Sequence, residues 1–310
     1  MEKEVILQKK WVVCLLAMVC CGLWGSAHPC IKIGYKLFAI GAEETAAQIL
    51  FAGCRFFLAG ALALVLGSIL SRKILLPKRS SGIKILQLAM VQTVIQYLFF
   101  YIGLAHTTGV KSAIINGVNV FVSIFVASII FRQEKITRRK MIGCILGFIG
   151  VVLVNLAGGS SIDFHMQLNG EGFLLLATVA YAVSSAMLKS FSKEESPVVL
   201  SGCQFMVGGL IMMICGFVMG GRIAPAASMS ASVGILIYLA FISAVAYSLW
   251  GILLKYNPVS TVTVFGFMNP VFGVVLSAIL LGETDALGTA SIAALLLICA
   301  GIYIVNKGDA

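Results

Sequence analysis

Read from its amino terminus, the chain alternates long apolar stretches with short polar breaks. Apolar runs cover approximately residues 11 to 35, 44 to 70, 83 to 104, 109 to 131 and 138 to 157, and then 169 to 191, 196 to 219, 231 to 254, 258 to 281 and 287 to 306. A hydrocarbon core ~30 Å thick takes ~20 helical residues to cross, so each run predicts one transmembrane helix. Strands facing lipid would alternate polar and apolar side chains over ~10 residues, and these runs do not. A helix also satisfies its backbone groups within the segment, as lipid demands. The expected class is an all-α integral membrane protein of ten transmembrane helices.

Sliding the chain along itself exposes a repeat, which reveals architecture that local propensity cannot. At an offset of 149 positions AGCRFFLAG (Ala52 to Gly60) lies over SGCQFMVGG (Ser201 to Gly209), so that Arg55 meets Gln204. The same offset sets Tyr101 over Trp250, Gly117 over Gly266, Ser128 over Ser277 and Glu134 over Glu283. Upstream, WGSAHPCIK (Trp24 to Lys32) lies over YAVSSAMLK (Tyr181 to Lys189) at an offset of 157, and Gly150 to Asn155 meets Gly301 to Asn306. The runs thus divide into two five-helix repeats, residues 1–157 and 169–310. An odd number of crossings makes the second copy enter the membrane from the opposite side, an inverted pair.

Charge orients the bundle. Lys9/Lys10, Arg72/Lys73/Lys78/Arg79/Lys84, Arg132/Lys135/Arg138/Arg139/Lys140, Lys189/Lys193, Lys255 and Lys307 all fall on one side of the ten runs. The other side holds only Lys32, Lys36, Lys111 and Arg222. The positive-inside rule makes the first side cytoplasmic, with both termini there, in the plasma (inner) membrane. At 60% hydrophobic and 11% charged residues the chain is too apolar for a soluble domain. The net charge of +10 punctuates apolar runs instead of covering one soluble surface, so the expected partner is the lipid bilayer and not nucleic acid. Nine cysteines fall almost wholly inside the runs without a CxxC, as packing residues do. Lys9-Lys10 and the apolar residues after them resemble a signal peptide, but the run continues through Ile33 and has a later counterpart, so it counts as the first span.

Candidate chemistry lies where polar groups interrupt the spans. Arg55 stands about eleven residues into the second run, too deep to snorkel to water. It must face a hydrated cavity or helix-end carbonyls, where its fork could hold a carboxylate or phosphate. Trp24, His28 and Lys32 share one face at i, i+4, i+8, and Tyr181, Ser185 and Lys189 repeat that stripe. The aromatics could meet a substrate or simply pack, and the lysines read as interfacial anchors. His28 precedes Pro29, which frees a carbonyl and predicts a kink where an imidazole could gate or carry a proton. Gln92 and Gln96 share a face of the third run beside Tyr97 and Tyr101, and the eighth run offers Ser243, Tyr247 and Trp250. Asn116, Asn119 and Ser123 form a stripe on the fourth run, and Asn269-Pro270 loosens the ninth. These amides could line a cavity or bond between helices. Gly143 and Gly147 make a GxxxG, whose mate offers Ala290 and Ala294, for packing within the chain or for a homodimer. Glu134 and Glu283 read as structural, with Thr137 and Thr284/Asp285 as caps of the following helices.

The WGS at Trp24, Arg55 in the second helix, and the Asn269-Pro270 helix ending in Gly282-Glu283 resemble the EamA family of the drug/metabolite transporter superfamily, over nearly the whole chain. The first half departs from the pattern, with Phe121 where the second has Pro270. The resemblance implies a ten-helix carrier with a central cavity, often exporting amino acids or other metabolites, whose fifth and tenth helices sit outside the lining set.

No Walker loop, GxSxG or HExxH is present, and the histidines at 28, 106 and 165 are scattered, so neither an enzyme nor a cofactor is expected. The expected function is a secondary-active or facilitative carrier of a small-molecule substrate by alternating access, with spans one to four and six to nine around a midplane site. Aromatic faces beside one buried cation favour amphipathic amino acids or small organic anions. No Asp or Glu lies clearly inside a span, which leaves proton coupling through His28 or uncoupled facilitation. A channel would show a ring of like charges or a filter loop, and a membrane sensor or assembly subunit would show an effector domain; neither is visible.

Overall fold

The computed structural model describes residues 2–41, 43–107, 109–156, 167–224, 228–281 and 289–307, and every regular element among them is helical. After a short helix, Glu2–Gln8, come α1 (Lys10–Leu37), α2 (Thr45–Ser71), α3 (Arg79–Leu104), α4 (Gly109–Phe125, prolonged by a π turn at Val126–Ile130) and α5 (Arg138–Leu156). Then follow α6 (Leu168–Phe191), α7 (Pro197–Val218), α8 (Met229–Tyr256), α9 (Val259–Leu280) and α10 (Thr289–Lys307). Among the described residues eight of these are long and apolar enough to cross a membrane, and α4 and α10 supply two shorter apolar segments.

Local chemistry sets the boundaries. Pro197 opens α7, where its missing N–H has no helical partner to lose. Ser228 caps α8 by accepting the Ala231 N–H on its Oγ. Within α9 the winding tightens to 3₁₀ over Val264–Phe267, directly before Asn269-Pro270, since Pro270 has no N–H to return to the preceding turn. Pro29, by contrast, lies inside α1, which runs as one helix from Lys10 to Leu37.

The closest helix pairs are α2 with α7 and α5 with α10; α1 packs on α8 and α9, and α6 on α3 and α4. At the α2–α7 crossing the backbones touch: a Cβ on Gly60 would overlap the Gly202 carbonyl, and one on Gly209 would overlap the Phe57 amide. Gly143 meets Gly301 across α5–α10, while Gly147 lies under the Phe267 ring, so the GxxxG face is occupied within the chain.

The two ends of the bundle differ. At the end carrying the basic loops, the Glu195 carboxylate accepts the Lys78 N–H and the Ser81 hydroxyl, each at 2.9 Å. Nearby, the Glu134 carboxylate accepts from Lys140 Nζ and from the Ser260 N–H, also at 2.9 Å each. Thr137 Oγ1 caps α5 by accepting the Lys140 N–H. Behind these ties the largest apolar cluster, including Ala17, Cys21, Ile124, Leu188 and Leu254, fills the interior. At the opposite end Glu171 accepts from Thr107 Oγ1 at 2.6 Å and lies 3.4 Å from Lys111 Nζ. The readings of Glu283, Thr284, Asp285 and His165 fall outside the described residues.

Candidate functional site

Between the middle of the bundle and that second end lies a cavity of about 760 Å³, lined by side chains of α1 to α6, α8 and α9. Its inner wall is aromatic. The Trp24 ring meets Trp250 edge-on at 4.9 Å and Tyr247 at 5.2 Å. The Tyr97 and Tyr247 hydroxyls share a hydrogen bond at 2.7 Å, joining α3 to α8. Phe56 packs on Tyr97 at 4.4 Å and stacks on Phe205 at 5.1 Å, so α2 and α7 brace the same wall from behind.

Arg55 reaches the cavity from α2, ten residues or ~15 Å along the helix from Thr45. It is only 6% exposed, its guanidinium carbon sits 4.5 Å from the Phe56 ring centroid, and its Nε has no hydrogen-bond partner. No carboxylate appears among the described lining residues. A unit negative charge about 4 Å from the guanidinium would gain about 4 kcal/mol at an effective dielectric of about 20, and a positive one would lose as much.

The facing wall is polar but neutral. Ser123 Oγ donates to Asn119 Oδ1 at 3.2 Å, one helical turn away on α4. Gln96 and Asn269 also line the space, and their Oε1 and Oδ1 atoms are buried without hydrogen-bond partners. The 3₁₀ turn before Pro270 is where α9 turns Thr263, Gly266 and Asn269 toward the space.

Of the residues singled out in the sequence, the cavity gathers Arg55, Trp24, Gln96, Tyr97, Tyr101 and Asn116. It also gathers Asn119, Tyr181, Tyr247, Trp250, Asn269 and Pro270. Gln92, Gln204 and Pro29 lie outside its lining. Gln204 is wholly buried and accepts the Thr93 hydroxyl at 2.6 Å, an interhelical bond between α7 and α3. Gln92 parts from Gln96 because α3 winds as a π helix over Ala89–Ile95, and positions four apart no longer stack there. The side chain of His28 lies outside the described residues.

One expectation needs correcting. Asn155 brings α5 into the lining, whereas α7 contributes nothing among the described residues, so the set is not spans one to four with six to nine. Lys32, read in the sequence as an interfacial anchor, is among the residues lining the cavity. Its counterpart Lys189 does anchor, donating to the Leu254 carbonyl at 2.8 Å and to that of Asn257, which satisfies the end of α8.

Comparison with known proteins follows the same lines. The family model described as the EamA-like transporter family matches residues 11–156 and 168–307. An uncharacterized transporter of Archaeoglobus fulgidus is 27% identical over 96% of this chain and 99% of its own. A protein of Salmonella typhimurium named a probable amino-acid metabolite efflux pump is 26% identical over 67% of this chain and 70% of its own. A solved crystal structure shares the fold, with a TM-score of 0.75 over 94% of this chain and 97% of that one at 17% identity.

Proposed function

The chain belongs to the EamA-like transporter family, and from that premise we propose that it is a multi-pass carrier exporting a small metabolite, such as an amino acid or amphipathic organic compound, by alternating access. The observation that carries this reading is the cavity, of a volume usual for small-molecule sites, walled by helices of both halves and sealed toward one end. Arg55 would hold the polar head of the substrate, the Trp24, Tyr247 and Trp250 wall its apolar body, and Asn119 and Asn269 its remaining polar groups. Export leans on the name carried by the Salmonella relative.

All ten helices then act as spans, in two inverted repeats at 1–157 and 169–310. Three observations support this. Exchanging the first five helices for the last five returns the same set of closest pairs. The glycines at the α2–α7 crossing meet crosswise, Gly53 with Gly209 and Gly60 with Gly202. The family match also falls in two segments that part where the repeats would. By the positive-inside rule the tied, basic end and both termini face the cytoplasm of a plasma membrane, and the cavity lies toward the outside. Alternating access requires the ties of Glu134 and Glu195 to open as the halves rock, with the 3₁₀ turn before Pro270 as a place to bend.

The test is counterflow of labelled amino acids and metabolites in proteoliposomes. A carrier gives saturable uptake accelerated by the same solute inside. Flux that is linear in concentration and shows no such acceleration would mean a pore, and folded protein that moves no solute of a broad panel would refute transport.

A further inference from the structure

Among the described residues lining the cavity the charged side chains are of one sign. Arg55 and Lys32 both line it, from α2 and α1, and among the described lining residues there is neither Asp nor Glu. Two carboxylates outside that lining are engaged elsewhere: Glu171 with Thr107 and Lys111, and Glu134 with Lys140 and Ser260. Resting on the carrier reading above, we infer that the cavity selects solutes that present a carboxylate and carry no net positive charge, with Arg55 as the residue that reads the carboxylate.

Three features carry the argument. Arg55 is 94% withdrawn from solvent yet its Nε donates to nothing, and a guanidinium in so apolar a setting calls for a counter-charge. A planar carboxylate supplies that charge, since its two oxygens can take parallel N–H bonds from the guanidinium fork. The phenols alongside cannot, because they are neutral and Tyr97 already bonds Tyr247. One deep guanidinium also matches one negative charge better than a phosphate ester, which brings up to two.

The aromatic wall raises a rival, because Trp and Tyr faces attract cations. Arg55 decides against it. The repulsion between Arg55 and a cationic solute, as estimated above, exceeds what a ring face returns. An ammonium is tolerated only when a carboxylate on the same solute neutralises Arg55. The expected order is carboxylate and zwitterion together, and amine far behind.

The experiment uses three solutes of one skeleton, 4-methylpentanoate, leucine and 3-methylbutylamine, in counterflow with the full chain in proteoliposomes at pH 7. The first two should exchange saturably, and the amine at less than one tenth of the carboxylate rate. Arg55→Gln should erase that tenfold preference, while Arg55→Lys, which keeps the charge, should retain it at lower rate. Binding is read in parallel from intrinsic fluorescence in a Trp11→Phe background, where only Trp24 and Trp250 report. An amine rate above one tenth of the carboxylate rate overturns the inference while leaving the carrier intact. So does a preference that survives in folded Arg55→Gln. If none of the three solutes exchanges or alters the fluorescence of folded protein, the inference fails, and the carrier reading fails with it only if the broader panel is also immobile.

Discussion

Arg55 on α2 and Gln204 on α7 stand at the same position of the repeat, within AGCRFFLAG and SGCQFMVGG. Arg55 borders the cavity with an unpaired Nε, whereas Gln204 is sealed between α7 and α3 on the Thr93 hydroxyl. Lys32 and Lys189 divide in the same way, one at the cavity and one on the carbonyls at the end of α8. The glycines around them do not divide: Gly60 and Gly209 make equivalent backbone contacts. The difference teaches which constraints a duplicated scaffold keeps. Positions where backbones touch are matched in both segments, whereas the side chains facing the cavity diverge.

The comparison breaks first at its symmetric part. Gly60→Val and Gly209→Val should each abolish monodisperse protein in size-exclusion chromatography, because neither backbone contact has room for a Cβ. Gly234→Ala, where an added Cβ meets nothing, should elute as wild type. Tolerance of either valine would show that only one copy bears the crossing.

Next comes the asymmetric pair. Arg55→Gln should lose at least tenfold in counterflow while melting near the wild-type temperature. Gln204→Leu should do the reverse, costing about 1–2 kcal/mol of stability through the orphaned Thr93 hydroxyl, with transport per folded molecule unchanged. The lysines sharpen the same contrast on a smaller scale. Lys32→Gln should raise the KM for an anionic solute severalfold, and Lys189→Gln should lower the melting temperature by a few degrees without changing KM.

The smallest effect distinguishes the loops that precede α2 and α7. Glu44 accepts only the local Gly41 N–H, whereas Glu195 reaches across to the other half. Burial raises the Glu195 carboxyl, but bonds from the Lys78 and Ser196 amides and the Ser81 hydroxyl outweigh it and hold the group below its ordinary 4.5. Its contribution to stability is therefore complete above about pH 4.5 and is lost as pH falls through the lowered value. Melts of wild type and Glu195→Gln in detergent should differ at pH 7 and converge toward pH 3. A constant gap would mean that the tie does not depend on ionisation.

Much of this molecule is legible in its sequence for one physical reason. Lipid tolerates only long apolar helices, so the runs from 11 to 35 through 287 to 306 anticipate α1 to α10 within a few residues. Polar groups inside those runs had to point inward, which brought Arg55, Tyr97 and Asn269 to the cavity. What the pattern could not resolve was which inward face is dry. Gln204 and Asn119 look alike as buried amides, yet one bonds a neighbouring helix and the other borders open space. A π turn in α3 separated Gln92 from Gln96, and no composition rule signals such a turn.

The α2–α7 crossing has a mechanical meaning of its own. Side chains that interlock act as teeth, and two helices joined by them can turn only by jumping from one set of grooves to the next. Where glycine meets glycine across Gly53, Gly60, Gly202 and Gly209, the backbones themselves touch and the teeth are few, chiefly Leu64, Met206 and Met213. The joint resembles a plain bearing, stiff against separation, and in the alternating access proposed above it is the place for an axle.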